Sequence, residues 1–225
     1  ADDVHLAVEA AHAAFASYRT TTPGQRETWL SRAADLLEQR KDAFADVLID
    51  EIGSPLLKAH FEIKYAIAHL RTASGIPRRI TGQTLPSDVP GRFSMSVREP
   101  LGVFACITPF NVPLIKAMKQ CTGPLATGNT VVLLASEEAP ALALLVAELF
   151  RDAGFPAGVF NVVTGFGHEI GDSLVTHPRI KGVNFTGSTR VGRHLSMLCG
   201  EHMKRALLEL GGKNPLIILK DADLD

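Results

Sequence analysis

The chain has 225 residues, of which 46% are hydrophobic, 21% charged and 6% aromatic. This composition is typical of a globular protein with a sizeable core and excludes the disordered and fibrous classes. The 23 basic and 24 acidic residues give a formal net charge of -1, which argues against binding nucleic acid or a membrane surface through bulk charge.

The cysteines and histidines suggest no metal or disulfide framework. Cys106, Cys121 and Cys199 form no CxxC pair, and the eight histidines are scattered without an HExxH motif. No signal peptide is recognisable. The most apolar stretch, 139–150, is shorter than the roughly 20 residues of a transmembrane helix. We therefore expect a cytoplasmic protein without a resident metal ion.

The first 75 residues are expected to be helical. Apolar residues recur at helical spacing in stripes at 4–15, 29–37, 44–52 and 59–70. Thr22-Pro23 separates the first two stripes and places a proline near the start of the second helix. Charged residues fill the other faces, which is typical of surface helices that pack on further elements.

Residues 76–100 combine a loop and a strand. Prolines and glycines interrupt 76–91. Phe93, Met95 and Val97 then alternate with polar residues, which predicts a half-exposed strand. Such a strand needs a neighbour, and a locally covered edge strand and a strand that pairs with a second chain are equally well supported.

From residue 101 onward, apolar runs alternate with helical segments. This rhythm is typical of parallel βαβ units covered on both faces, and right-handed crossovers then give an open doubly wound α/β sheet. In such a sheet, ligands bind at the carboxyl ends of the strands. The predicted strands are 103–107, 130–134, 159–164, 182–185, 206–210 and 216–219.

Two of these strand ends have an ambiguous role. Asn111 follows the first strand between two prolines. Its amide could donate to an oxyanion, although capping the next helix is the better supported role on spacing alone. Residues 164–171 carry glycines in a GxGxxxG spacing, which is a weak phosphate-loop signal and favours a tight turn.

Two further strand ends carry groups suited to chemistry. Gly187-Ser188-Thr189 begins a helix, where free backbone amides suit an anion, or where Ser188 or Thr189 simply caps the helix. Glu209 ends an apolar run beside glycines. In an apolar environment it could act as a general base, and a solvated or salt-bridged Glu is at least as well supported. None of the three cysteines has the surroundings of an activated nucleophile.

In this order, the motifs resemble those of the NAD(P)-dependent aldehyde dehydrogenase superfamily, along nearly the whole chain. Residues 107–114 and 187–195 look most like enzymes that act on aromatic or other bulky aldehydes. The resemblance implies N-terminal helices over 1–75, an oligomerisation arm within 76–100, an NAD(P)-binding domain over 101–225, and a homodimer or homotetramer. The most specific segments are 100–103, 107–113, 128–133, 185–192 and 208–213.

The resemblance also implies a reaction. A cysteine thiolate attacks the aldehyde to give a thiohemiacetal, a hydride passes to the nicotinamide, and water hydrolyses the thioester. Asn111 matches the residue that stabilises the oxyanion, which reverses the preference for a cap, and Glu209 matches the general base. The implied cofactor contacts are Ile107, Thr108 and Phe110 beside the nicotinamide, Glu137 at the ribose, Gly165 and Val191 near the adenine, and Gly187 and Ser188 at the pyrophosphate. Leu210 and Gly211, which directly follow Glu209, are also implied cofactor contacts.

The sequence departs from the family pattern at two points. Leu134 stands where the family usually has a ribose-binding lysine, and losing one charged hydrogen bond costs about 1.5–3 kcal/mol of binding. Glu137 suits two ribose hydroxyls and would repel a 2′-phosphate, which favours NAD while leaving NADP open.

The second departure from the family pattern is that no cysteine of the chain matches the family's nucleophile. We therefore expect this chain to be the cofactor-binding portion of a longer enzyme and to be inactive alone. A non-catalytic dinucleotide-binding module and an assembly fragment that works through the arm strand are the alternatives.

Overall fold

The computed structural model describes residues 2–223, so Ala1 and the last two positions of the predicted cofactor domain, Leu224 and Asp225, lie outside the described residues. The helices are α1 (Asp2–Tyr18), α2 (Pro23–Gln39), α3 (Lys41–Ile52), α4 (Leu56–Ser74), α5 (Pro113–Ala126), α6 (Pro140–Ala153), α7 (Gly167–Thr176) and α8 (Thr189–Glu201). The strands are β1 (Gln83–Leu85), β2 (Ser94–Ser96), β3 (Val103–Ile107), β4 (Thr130–Leu134), β5 (Phe160–Val163), β6 (Ile180–Thr186) and β7 (Arg205–Glu209).

Five parallel strands form the central sheet in the order β5-β4-β3-β6-β7. The chain runs outward from β3 to β5, then returns beside β3 as β6 and continues to β7. This reversal makes a crevice at the carboxyl ends of β3 and β6, the place where doubly wound sheets bind ligands. The predicted fold class is confirmed, and most predicted elements differ from the observed ones by a few residues.

Helices cover both faces of this sheet. Successive β4 residues point to opposite sides: Val131 and Leu133 enter the core beneath α2–α6, while Val132 and Leu134 enter the core beneath α1, α7 and α8. The N-terminal helices thus share their cores with the sheet, and the domain boundaries at 75 and 100 stay predictions. Among residues 2–223, no helix is both long and apolar enough to cross a membrane.

The 76–100 segment forms a small hairpin. β2 pairs antiparallel with β1, with Gln83 opposite Ser96. The sequence placed a polar loop over residues 76–91, and β1 is a short strand inside it. Local pairing is therefore present, yet Phe93 is 75% exposed and Val97 62% exposed. The hairpin leaves its apolar side chains without cover in this chain.

The strand expected at 216–219 is wrong. Residues 210–219 have no regular secondary structure, and Leu216 and Ile217 are 83% and 80% exposed. β7 is the outer strand of the sheet among the described residues, and no strand pairs with its free edge. An apolar run without a pairing partner cannot satisfy its backbone groups as a strand.

Candidate functional site

The residues expected to carry chemistry follow strands that end at one edge of the sheet. Ile107 pairs with Leu134 on one side and with Phe185 on the other. Leu134 pairs in turn with Val163, and Thr186 pairs with Glu209. Because the strands end in register, the loops that follow all five strands lie along this edge. The sheet therefore assembles residues that are up to about a hundred positions apart in sequence.

A cleft of about 550 Å³ opens at this edge, between the strand ends and helices α7 and α8. Of the predicted cofactor contacts, it contains Ile107, Glu137 and Val191; the others lie on the neighbouring loops. The glycines of the GxGxxxG segment contribute Gly167 and Gly171 to one wall. The full lining is Ile107, Leu134, Glu137, Gly167, His168, Gly171, Asp172, Phe185, Arg190, Val191, His194 and Leu195.

The start of α8 forms one side of the cleft. Ser188 is the N-cap, and its hydroxyl accepts a hydrogen bond from the Val191 N–H at 3.3 Å. The capping alternative for Ser188 is therefore confirmed. A side-chain cap satisfies one of the N–H groups that lack an intrahelical acceptor at a helix start and leaves others open to an anion.

Gly187, just before α8, has no room for a side chain. A Cβ added there would fall 2.4 Å from Cζ of Phe185, so any side chain would displace the aromatic ring. The Gly187 N–H donates to the Glu209 carbonyl at 3.1 Å, which ties the end of β6 to the end of β7. Gly165, after β5, has φ +143°, a conformation that favours glycine.

The chemistry of the cleft fits the adenosine half of a dinucleotide. Leu134 (1% exposed) and Phe185 (5% exposed) give an apolar wall. Glu137 is an exposed carboxylate, and Arg190 and Val191 of the first turn of α8 line the same space. A mostly apolar cleft with a few polar groups is the usual character of a cofactor pocket. The cleft also holds basic side chains, and His194 Nε2 lies 2.8 Å and 2.9 Å from the two carboxylate oxygens of Asp172.

Asn111 does not cap α5. Val112 occupies the N-cap position and makes no side-chain capping bond, so the cap preferred on spacing alone is wrong. Asn111 is exposed, and no described residue accepts or donates a hydrogen bond at its amide. Thr108, by contrast, is buried and its N–H donates to the Leu134 carbonyl at 3.2 Å. The turn is fixed at its base, while Asn111 and the half-exposed ring of Phe110 project from it.

Glu62 of α4 anchors the helix that follows Asn111. It is fully buried, and its Oε2 accepts a hydrogen bond from the Leu114 N–H at 3.2 Å. Its Oε1 accepts another from Lys58 Nζ at 2.7 Å. Burial raises the pKa of Glu62, and the interactions with Lys58 and with the α5 backbone oppose that rise. The carboxylate thus holds the first turn of α5, and with it the position of Asn111.

Glu209 is not held in an apolar environment. Its side chain is 51% exposed and its Oε1 lies 3.3 Å from Lys119 Nζ of α5. The salt-bridged alternative is the one observed. The next residue, Leu210, packs on α8, since a Cβ at Gly192 would fall 2.3 Å from Leu210 Cδ2. A Cβ at Gly211 would lie 3.6 Å from Thr189 Oγ1, so both predicted contacts sit beside the start of α8.

The three cysteines are all buried and free. Burial raises the pKa of Cys199, with Lys204 opposing, and burial with the neighbouring Cys106 raises the pKa of Cys121. A high pKa keeps a thiol protonated and unreactive. Cys121 and Cys199 therefore act as core side chains, and Cys106 of β3 belongs to the core because it is fully buried.

Several residues of this edge were missed by the sequence analysis: Lys119, Glu62 and the basic side chains of the cleft, His168, Arg190 and His194. Each of these residues lies on a helix, and the hydrophobic pattern of that helix predicts only that the residue faces solvent or a neighbouring element. One signal was available for Lys119, because helical spacing puts it on the same face as Lys116. Its pairing with Glu209 depends on the packing of α5 against β3, β4 and β6, which brings Lys119 beside the end of β7.

Comparison with known proteins assigns the family. The aldehyde dehydrogenase family model matches residues 1–225. The chain belongs to the aldehyde dehydrogenase family. Among curated relatives, the vanillin dehydrogenase of Pseudomonas fluorescens is 41% identical over 227 residues, which cover 100% of this chain and 47% of that protein.

Solved aldehyde dehydrogenase structures have the same fold as this chain. The salicylaldehyde dehydrogenase of Pseudomonas putida G7, complexed with salicylaldehyde, superposes with a TM-score of 0.94 at 38% identity, over 99% of this chain and 46% of that one. An NAD-dependent benzaldehyde dehydrogenase of Corynebacterium glutamicum gives 0.93 at 39% identity, over 100% and 50%. The chain spans about half the length of the aldehyde dehydrogenases it matches.

Proposed function

We propose that the complete protein is an aldehyde dehydrogenase that oxidises an aldehyde to a carboxylate with NAD, and that residues 1–225 supply the cofactor cleft, the oxyanion donor and the general base. One observation carries this proposal. In a chain of this family, Asn111, Glu209 and the 550 Å³ cleft lie along the same edge of the sheet. Fold membership alone would not suffice, because function depends on the site.

NAD is the proposed cofactor, with NADP as the alternative. When bound, the nicotinamide accepts the two electrons that leave the substrate. Glu137 would bind the ribose hydroxyls, Ser188 and the α8 amides the pyrophosphate, and Gly165 and Val191 the adenine. Ile107, Thr108 and Phe110 would line the nicotinamide side, while Gly187 and the Leu210-Gly211 pair would allow the close approach of the cofactor. The carboxylate of Glu137 opposes a 2′-phosphate, whereas the basic side chains of the cleft would tolerate one.

Two side chains would act on the substrate. The exposed Asn111 amide is free to donate to the oxygen that becomes negative when the nucleophile attacks. Glu209 would take a proton from the thiol or from the hydrolytic water. Its half-exposed side chain can move between Lys119 and the reacting atoms, so the ion pair would hold the base in reserve beside the site.

The nucleophile would be a cysteine outside these residues. All three cysteines of the chain are buried, and none belongs to the loops at the carboxyl edge of the sheet. The free thiols also favour the cytoplasm, because reduced cysteines persist there. The complete protein would therefore need a further segment that brings a thiolate to Asn111.

An aromatic aldehyde is the proposed substrate. The resemblance at 107–114 and 187–195 favours this branch, and vanillin, salicylaldehyde and benzaldehyde dehydrogenases are among the relatives. A homodimer or homotetramer is the proposed assembly. The exposed apolar residues of the β1–β2 hairpin support it, since unpaired apolar strands invite pairing with a second chain.

The test is aldehyde oxidation by the complete protein. Benzaldehyde, salicylaldehyde and vanillin, each with NAD or NADP, should give NADH or NADPH in equal amount to the carboxylate, followed by absorbance and chromatography. Acetaldehyde serves as the small aliphatic comparison. If none of these aldehydes gives reduced cofactor while NAD still binds, the result would favour the non-catalytic dinucleotide-binding module instead.

Leu134→Lys should strengthen NAD binding by about tenfold to a hundredfold, because it restores a charged hydrogen bond to the ribose. Leu134 lines the cleft, so a lysine there can extend its ammonium into it. Titration calorimetry with the 225-residue chain measures the change.

Leu144→Lys is the matched control. Leu144 is 52% exposed on α6, away from the cleft, and it receives the same added charge. Equal affinity in wild type and Leu134→Lys would mean that position 134 does not face the ribose.

A further inference from the structure

A cluster of metal-binding side chains lies on the surface away from the cofactor cleft. It consists of His5 and Glu9 of α1 and His177, which follows α7. Each offers one ligand atom, and the three atoms lie within 4.8 Å of one another. The proposed dehydrogenase chemistry uses none of them, so the cluster needs an explanation of its own.

The geometry of the cluster is close to that of a divalent metal site. His5 and Glu9 are four residues apart, which places them on one face of α1. His5 Nδ1 and His177 Nε2 are 3.1 Å apart. Bonds of about 2.0–2.1 Å from a tetrahedral zinc ion to two nitrogens put those nitrogens a little over 3 Å apart. A Glu9 carboxylate oxygen lies within 4.8 Å of both nitrogens, so a third ligand requires this oxygen to move closer to them.

The backbone beneath His177 is held in place. Lys204 Nζ donates to the carbonyls of His177 at 2.5 Å and Val175 at 2.6 Å. The loop that carries the imidazole is thereby tied to the end of α7 and to Lys204, which directly precedes β7. A ligand on a fixed loop loses less conformational freedom when it binds an ion.

The charges around the cluster act in both directions. Burial lowers the pKa of His177, and His5, Lys204 and Arg179 lower it further, while Glu9 raises it. A low pKa keeps the imidazole neutral, the form that binds metals. Arg179 competes for Glu9, since its Nε lies 3.6 Å from Glu9 Oε1. Binding would also require the His177 proton at Nδ1, which forfeits the 3.3 Å bond from the Arg179 N–H.

We propose that His5, Glu9 and His177 bind a divalent ion of the zinc class, which joins α1 to the loop between α7 and β6. Two imidazoles and one carboxylate are a ligand set that suits Zn²⁺, Ni²⁺ or Cu²⁺ and disfavours Mg²⁺ or Ca²⁺, which prefer oxygen ligands. The ion would fasten the first helix to this loop.

The experiment is a zinc titration of the 225-residue chain, by competition with a chromophoric chelator. Wild type should bind one Zn²⁺, and His5→Gln, Glu9→Gln and His177→Gln should each weaken binding by at least about tenfold. His5 is exposed, so its substitution leaves the fold intact. Arg179→Gln should strengthen binding, because it removes the competing cation.

Matched controls distinguish zinc binding at this cluster from zinc binding at other histidines of the chain. His202→Gln removes an exposed histidine beyond α8 and should leave the affinity unchanged, and Mg²⁺ should not compete. Zn²⁺ should also raise the thermal midpoint of wild type but not of His5→Gln. Equal zinc affinity in wild type and His5→Gln, or no stoichiometric binding to wild type, would overturn the proposal.

Discussion

Glu209→Gln in the complete protein should lower aldehyde turnover by about 10²- to 10⁴-fold, because glutamine cannot accept a proton. The amide has the same shape as the carboxylate and keeps an oxygen for Lys119, so KM should change little. If Glu209 activates the hydrolytic water, the first equivalent of NADH should still form and later turnover should stall. Stopped-flow and steady-state absorbance measure both phases.

Glu201→Gln is the control for this substitution. Glu201 is an exposed acid at the end of α8, so the variant loses the same charge without touching the strand ends. Turnover unchanged in Glu209→Gln would exclude Glu209 as the base. The exposed, ion-paired side chain would then be a surface group that tethers α5 to β7.

Glu62→Ala should lower the free energy of unfolding by about 3 kcal/mol, because it leaves the Leu114 N–H and Lys58 without their carboxylate partner and opens space in the core. Urea denaturation of the 225-residue chain measures the loss. Glu38→Ala is the control. Glu38 pairs with Arg71 and its side chain is 61% exposed, so this substitution should lower the free energy of unfolding by at most about 1 kcal/mol. Equal losses in the two variants would show that Glu62 does not anchor α5.

The pH dependence of the same residue has a definite sign. Burial raises the folded pKa of Glu62 above 4.5, so the folded chain binds this proton more tightly than the unfolded chain. The stability that protonation contributes is complete below the unfolded pKa and is lost as pH rises through the folded pKa. Wild type should therefore gain stability relative to Glu62→Gln as the pH falls from neutral toward 4.5. A constant difference between the two would contradict the buried carboxylate.

The regular elements could be predicted from the sequence because each has a local cause. Helical spacing of apolar residues identifies α1 to α4, and continuous apolar runs identify β3 and β4. The order of these elements then suffices for the doubly wound sheet, since handedness and layer rules leave few topologies.

Features that depend on partners could not be predicted in this way. The apolar run 216–219 resembles a strand but finds no strand to pair with, whereas the short strand Gln83–Leu85 forms in a polar loop because a neighbour is present. Asn111 fits a helix cap, yet the helix begins two residues later with Val112 as its N-cap. Glu209 pairs with Lys119 of α5, and the first turn of α5 is held by Glu62 of α4. Both partners are far away in sequence, so these side chains meet only after the helices have packed.

The most direct test of the account is calorimetric titration of NAD into the 225-residue chain, repeated with AMP present. The cleft at the strand ends predicts one NAD per chain, with a Kd of about a millimolar or below. AMP should compete, because we propose that the adenosine half binds between Leu134, Glu137 and Val191, which line the cleft. A folded chain that shows no binding up to roughly 10 mM NAD, or whose NAD binding AMP leaves unchanged, would contradict the assignment of this cleft as the cofactor site.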